Sequence, residues 1–92
     1  MQIADLLCDV ETELHIWSGH RVNFAEAEEA VFGRSFILRG RKEGLYEVLG
    51  RTEAGRYLMV AVRSLGKGAA KVITAREMDD AERRRYNAHV MH

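Results

Sequence analysis

Between residues 35 and 75, four apolar stretches (36–39, 45–50, 57–63 and 69–75) are separated only by short glycine-containing turns at 40–44, 52–55 and 64–68. Connections this short join antiparallel neighbours and leave no room for a crossover helix. The 92 residues include eight glycines and no proline, so the turns depend on glycine's access to positive φ. The run Tyr57-Leu-Met-Val-Ala-Val62 is apolar without alternation, which marks a central strand buried on both faces. The last stretch alternates. Val72, Thr74 and Arg76 are expected on one face, with Lys71, Ile73 and Ala75 on the other.

On either side of this meander the period is helical. Asp9 is placed to cap a helix over 10–17, with Val10, Leu14 and Trp17 on one side, Trp17 in the core and Gly19 as the stop. Residues 3–7 ahead of it read as a short extended segment. Asn23 and Glu26 have capping-box spacing, Val22 can staple onto Ala27, and Phe24, Ala27 and Val31 form an apolar stripe that Gly33 ends. Asp79 and Glu82 repeat the capping box at the start of a last helix that fades near residue 92. The expected architecture is one α+β domain over 1–92. It has two N-terminal helices, an antiparallel sheet of about four strands and one C-terminal helix.

Composition excludes several classes. An apolar share of 47% against 30% charged is an ordinary globular balance. No apolar run approaches the roughly 18–20 residues of a membrane helix. Residues 1–10 carry Asp5 and Asp9 and no basic stretch, so no secretory signal is expected. The lone Cys8 offers neither an internal disulfide nor a zinc cluster, and it fits a buried apolar position in a reducing, cytoplasmic setting. Basic and acidic residues number 14 each, which speaks against a strongly basic nucleic-acid binder. They are unevenly spread, with seven acids and one base in 1–33, ten bases and three acids in 34–76, and four acids and three bases in 77–92. The middle carries a field that attracts phosphate unless the acidic first third folds over it.

Three stretches stand in a familiar order: HIWSGHRVNFAEAEEAVF (15–32), LGRTEAGRYL (49–58), and VITAREM (72–78) followed by ERRRY (82–86). Together they resemble the BrnT family of bacterial toxins, from about residue 6 to residue 86. The resemblance implies a compact fold like that of the RelE ribonucleases. It also implies a metal-independent endoribonuclease that inhibits translation, without a cofactor. Such a toxin belongs to a type II toxin–antitoxin module. A BrnA-type antitoxin would neutralise it in a heterotetramer, and operator DNA would be met only through that antitoxin. The family's histidine before the second helix maps to His20, and its hairpin arginines map to Arg51 and Arg56. Its strand-end arginine maps to Arg76, and its C-terminal motif to Glu82, Arg83, Arg84 and Tyr86. Where the family usually has Lys or Arg before the histidine, this chain has Gly19, one phosphate-binding cation fewer.

Metal-free RNA cleavage must deprotonate the 2′-hydroxyl, neutralise a pentacoordinate phosphate and protonate the leaving 5′-oxygen. Forked guanidinium donors suit that phosphate, and an imidazole titrates in the right range. The sequence has no paired-carboxylate, Walker, Cys–His or zinc motif. On this reading His20, Arg76 and Tyr86 are the catalytic candidates, Arg51, Arg56 and Arg83 contact RNA, Glu82 supports them, and no metal is held. Each has a structural alternative. His20 can cap or pack, Arg76 can pair with Glu82 or Asp79, and Tyr86 can sit in the core. Arg51 and Arg56 can simply flank a solvated hairpin, and Glu82 can pair with Arg85 or Tyr86 within its helix. Arg83, Arg84 and Arg85 point about 100° apart, so they cannot all face RNA. Lys71, expected on the other strand face, is not placed with Arg76. The alternative function is a non-catalytic module of the same fold that pairs with an antitoxin in an operon-repressing complex.

Overall fold

The computed structural model describes residues 1–91. In chain order it builds β1 (Asp5–Leu7), α1 (Val10–His20), α2 (Phe24–Phe32), β2 (Phe36–Arg39), β3 (Leu45–Arg51), β4 (Tyr57–Gly66), β5 (Ala69–Glu77) and α3 (Asp80–Val90). The strands form one sheet in the order β1-β5-β4-β3-β2. From β2 to β5 it is the expected antiparallel meander. The expected sheet of about four antiparallel strands is corrected in one respect: it has five strands and is mixed. Asp5, Leu6 and Leu7 pair in parallel with Ala69, Ala70 and Lys71. So short a strand, with only Leu6 buried, carries no alternation from which its pairing could be read.

The sheet has a core on each face. Val48, Leu58, Val60, Val62, Val72 and Ala75 meet Ile16 of α1 and Ala27, Ala30 and Val31 of α2. On the other face, Leu49 and Met59 meet Met78 and Tyr86, with α3 lying over β2 and β3. Alternate burial of Leu58, Met59 and Val60 into the two cores makes β4 the central strand, as its unbroken apolar run requires. Helix α2 comes down onto β3 at Gly50, where an added Cβ would lie 2.0 Å from the carbonyl oxygen of Ala30. Both capping boxes form, Asn23 with Glu26 and Asp79 with Glu82.

Three local expectations change. A bulge in β5 breaks its alternation. Ala61 pairs with Thr74 but Val62 pairs with Val72, so Ile73 is the extra residue. Val72 therefore joins Ala75 in the core under α1 and α2, while Thr74 and Arg76 take the α3 face. The same shift brings Lys71 to the α3 face, where its ammonium pairs with Asp9 at 2.9 Å. Helix α1 does not stop at Gly19. It runs to His20, and Arg21 takes the left-handed cap at φ 54°, its N–H donating to Trp17 and that of Val22 to Ile16. Finally, α1 turns Ile16 to the sheet and leaves Val10, Leu14 and Trp17 69%, 63% and 48% exposed. The helix is pinned at one end by the Asp9–Lys71 pair and at the other by the Arg21 cap.

Candidate functional site

The site grows from the β3–β4 turn. The Thr52 side chain is buried, and its Oγ1 accepts the Arg56 N–H at 2.9 Å. Thr52 N–H donates to the Arg56 carbonyl and Gly55 N–H to the Thr52 carbonyl, both at 2.9 Å. Gly55 takes φ +95°, a conformation costly for a side-chain-bearing residue. The turn makes Arg51 and Tyr57 cross-strand partners, side by side on the α3 face.

From the opposite side α3 brings Arg83. The guanidinium carbons of Arg51 and Arg83 lie 5.0 and 4.1 Å from the centre of the Tyr57 ring. Among the described residues neither has a carboxylate oxygen within 4.0 Å. Tyr57 also meets Tyr86 edge to face at 5.8 Å. Among the described residues the Tyr57 hydroxyl has no hydrogen-bond partner, and it is not sealed from water. A groove of about 290 Å³ opens beside it, lined by Gly55, Arg56, Tyr57, Glu77, Met78 and Arg83.

Arg76 lies on the same face with its donors engaged. Nη1 and Nη2 donate to Glu82 at 2.8 and 3.0 Å, and Nη1 also reaches the Glu77 carbonyl. The Glu82 carboxylate, which also accepts the Asp79 N–H, raises the Arg76 pKa against the opposing effect of burial. Glu82 thus ties the end of β5 to the first turn of α3 and fixes the helix that carries Arg83. It pairs with Arg76 and not with Arg85. Tyr86 is 3% exposed, and its hydroxyl donates to the Arg34 carbonyl at 2.6 Å. Burial pushes its pKa up. Arg85 leans on Phe36 instead, its guanidinium 6.0 Å from that ring.

The other two candidates lie toward the α1–α2 side. Arg56 is a bridge. Burial works to lower its pKa, but Glu26 and Glu77 outweigh that and raise it. Its Nη1 donates to the Arg21 carbonyl at 2.8 Å and to Glu26, while Nε and Nη2 reach Glu77 at 3.4 Å. His20 is exposed at the end of α1, with His15 as its recorded ring neighbour at 6.0 Å. Among the described residues no contact joins it to Arg76, Tyr86, Arg51 or Arg83.

The structure therefore brings Arg51, Arg83, Arg76, Glu82 and Tyr86 to one face and leaves His20 and Arg56 at its edge. It adds Tyr57, which sequence reasoning absorbed into the buried strand. Its signal was available, since counting inward from the turn pairs Tyr57 with Arg51. Among the described residues no group of three or more His, Cys, Asp or Glu side chains could hold a metal ion. No helix of the described residues is long and apolar enough to cross a membrane.

No family model and no curated protein matches the sequence. Among solved structures, the Brucella abortus ribonuclease toxin BrnT superposes with a TM-score of 0.68 at 18% identity, covering 84% of this chain and 100% of that one. The chain has the BrnT fold.

Proposed function

We propose that this protein is the toxin of a type II toxin–antitoxin module, a cytoplasmic, metal-independent endoribonuclease that inhibits translation and is neutralised by a BrnA-type antitoxin. One observation carries the reading: two guanidiniums that have no carboxylate partner among the described residues meet on Tyr57, in a fold shared with a ribonuclease toxin. Arg51 and Arg83 hold the scissile phosphate and neutralise the charge it gains in the transition state. Arg76 acts through Glu82 to position Arg83, and Tyr86 locks α3 to the sheet. Tyr57, whose ring both guanidiniums contact, supplies a hydroxyl for proton transfer.

The antitoxin has a surface to grip. Val10, Leu14 and Trp17 are exposed on successive turns of α1, flanked in sequence by Glu11 and Glu13. That pattern fits an apolar partner segment edged with basic residues. The operator would be bound only through the antitoxin, in a heterotetramer.

The second reading, a module that binds without cutting, draws on the engaged state of the catalytic candidates. Arg76 is tied to Glu82, the Tyr86 hydroxyl is tied to Arg34, and His20 stands apart. Induced expression in a bacterium separates the two. A cutting toxin arrests growth and leaves new RNA 5′ ends, and a soluble Arg51→Ala/Arg83→Ala variant does neither. Wild-type expression without arrest or new ends supports the binding module.

A further inference from the structure

Folding sorts the basic middle of the sequence into two populations. Of the ten bases between Arg34 and Arg76, Arg56, Lys71 and Arg76 are neutralised by Glu26 and Glu77, Asp9 and Glu82. Among the described residues the others have no carboxylate oxygen within 4.0 Å. Two of them, Arg34 and Arg51, lie toward the Tyr57 end. The remaining five, Arg39, Arg41, Lys42, Arg63 and Lys67, gather at the far end of the sheet, all exposed, with Arg39 on the α1–α2 face beside Tyr46. There the Ser64 N–H of β4 donates to the Gly44 carbonyl of the β2–β3 turn at 2.7 Å. Glu43 and Asp5 are the acids beside them. A hollow of about 400 Å³ opens along the first turn, from Arg39 to Tyr46.

The two basic clusters share a surface. Helix α3 lies over β2 and β3, and on that same face Ala61 and Thr74 of β4 and β5 are partly exposed, beside the Glu47 carboxylate of β3, which acts on Arg76. Arg76 stands at one end of this strip and Arg63, paired with Lys71, at the other. From Tyr57 to Gly66 along β4 the span is about 30 Å at the usual rise per residue. Cations outnumber the exposed large apolar side chains there, Leu65 and, beside Arg39, Met1, and such a surface suits a phosphate backbone. A protein partner would call for buried aromatic or apolar anchors.

We propose that the β2–β3 and β4–β5 turns form a second sugar–phosphate contact, so that the toxin grips an RNA strand from the Arg51–Tyr57–Arg83 cluster along the open half of the sheet to Arg41, Lys42 and Lys67. This rests on the RNA-cutting reading and specifies its substrate. The substrate is a single strand long enough to reach both clusters, roughly nine nucleotides if stacked at about 3.4 Å each. The far cluster reads charge and not base identity.

The test is fluorescence anisotropy of the full chain with uncleavable 2′-O-methyl oligonucleotides of roughly four and roughly fourteen nucleotides, one too short to span both clusters and one long enough. The comparison variant is Arg41→Gln/Lys42→Gln/Lys67→Gln, at exposed positions that form no ion pair among the described residues. The expected result is that the variant binds the long strand about 10- to 100-fold more weakly at 0.1 M salt, with its salt slope reduced by about 2. The short strand binds the variant and the wild type alike. Equal losses on both strands, or none on the long one, overturn the second contact. Loss of antitoxin binding with long-strand binding intact makes the patch a protein interface and also overturns it. If the wild type binds neither strand, the RNA reading itself falls.

Discussion

Four arginines of the resembled motif divide into two pairs, and single alanine substitutions separate them. Among the described residues Arg51 and Arg83 have no carboxylate partner, and both contact the Tyr57 ring. Losing one exposed cation–π contact costs about 0.5–1 kcal/mol, or at most about 8 °C of melting temperature in a domain of this size. If each guanidinium makes charged hydrogen bonds to the transition-state phosphate, at about 1.5–3 kcal/mol, its removal lowers kcat/KM roughly 10- to 150-fold. Arg56→Ala and Arg76→Ala behave differently. They strand Glu26 and Glu82, whose side chains are only 22% and 17% exposed. That lies between the exposed and fully buried cases, about 2–3 kcal/mol, and lowers the melting temperature by about 8–24 °C. Circular dichroism melts and initial rates on one defined RNA give both quantities. The reasoning is refuted if Arg51→Ala and Arg83→Ala melt as low as Arg56→Ala, or if they keep wild-type kcat/KM.

Three further substitutions test the frame. Gly50→Ala drives a Cβ to 2.0 Å from the Ala30 carbonyl and should cost more than about 3 kcal/mol, seen as a lower urea midpoint. The Asp9 carboxyl is held down to about 2, from an ordinary 3.8, by the Thr12 N–H and Lys71. Its stabilisation is therefore present above the ordinary value and lost as pH falls toward 2, so the melting gap between wild type and Asp9→Ala should close over that window. Leu14→Ser/Trp17→Ser alters exposed positions and removes one cation–π contact, Arg21 on the Trp17 ring. It should lower melting by at most about 8 °C and leave RNA cleavage unchanged while antitoxin co-purification is lost, and retained co-purification removes α1 as the docking face.

What could be read from the sequence was what local chemistry decides. The Asn23–Glu26 and Asp79–Glu82 boxes satisfy their own helix starts, and the glycine turns fold adjacent strands together, so these appear in the residues themselves. The parallel pairing of β1 depends on partners at the far end of the chain. The facing of α1 runs against its more apolar stripe, since Val10, Leu14 and Trp17 stay exposed while Ile16 packs into the core. One bulge at Ile73 was enough to reverse the expected company of Val72 and Lys71. At the candidate site, the motif drew attention to Arg51 and Arg83. Nothing in residue type separates them from Arg56 and Arg76, whose carboxylate partners are brought from α2 and α3 by the fold. Tyr57 was hidden because a strand-initial tyrosine before an apolar run reads as core.

The most direct test of the ribonuclease reading is cleavage of a defined RNA by the purified chain in EDTA, alone and with ribosomes, beside the folded Arg51→Ala/Arg83→Ala variant. Cleavage by the wild type that survives chelation and disappears in the variant is the predicted result. A well-folded wild type that leaves the RNA intact under both conditions, or a variant that cuts as fast as the wild type, contradicts it.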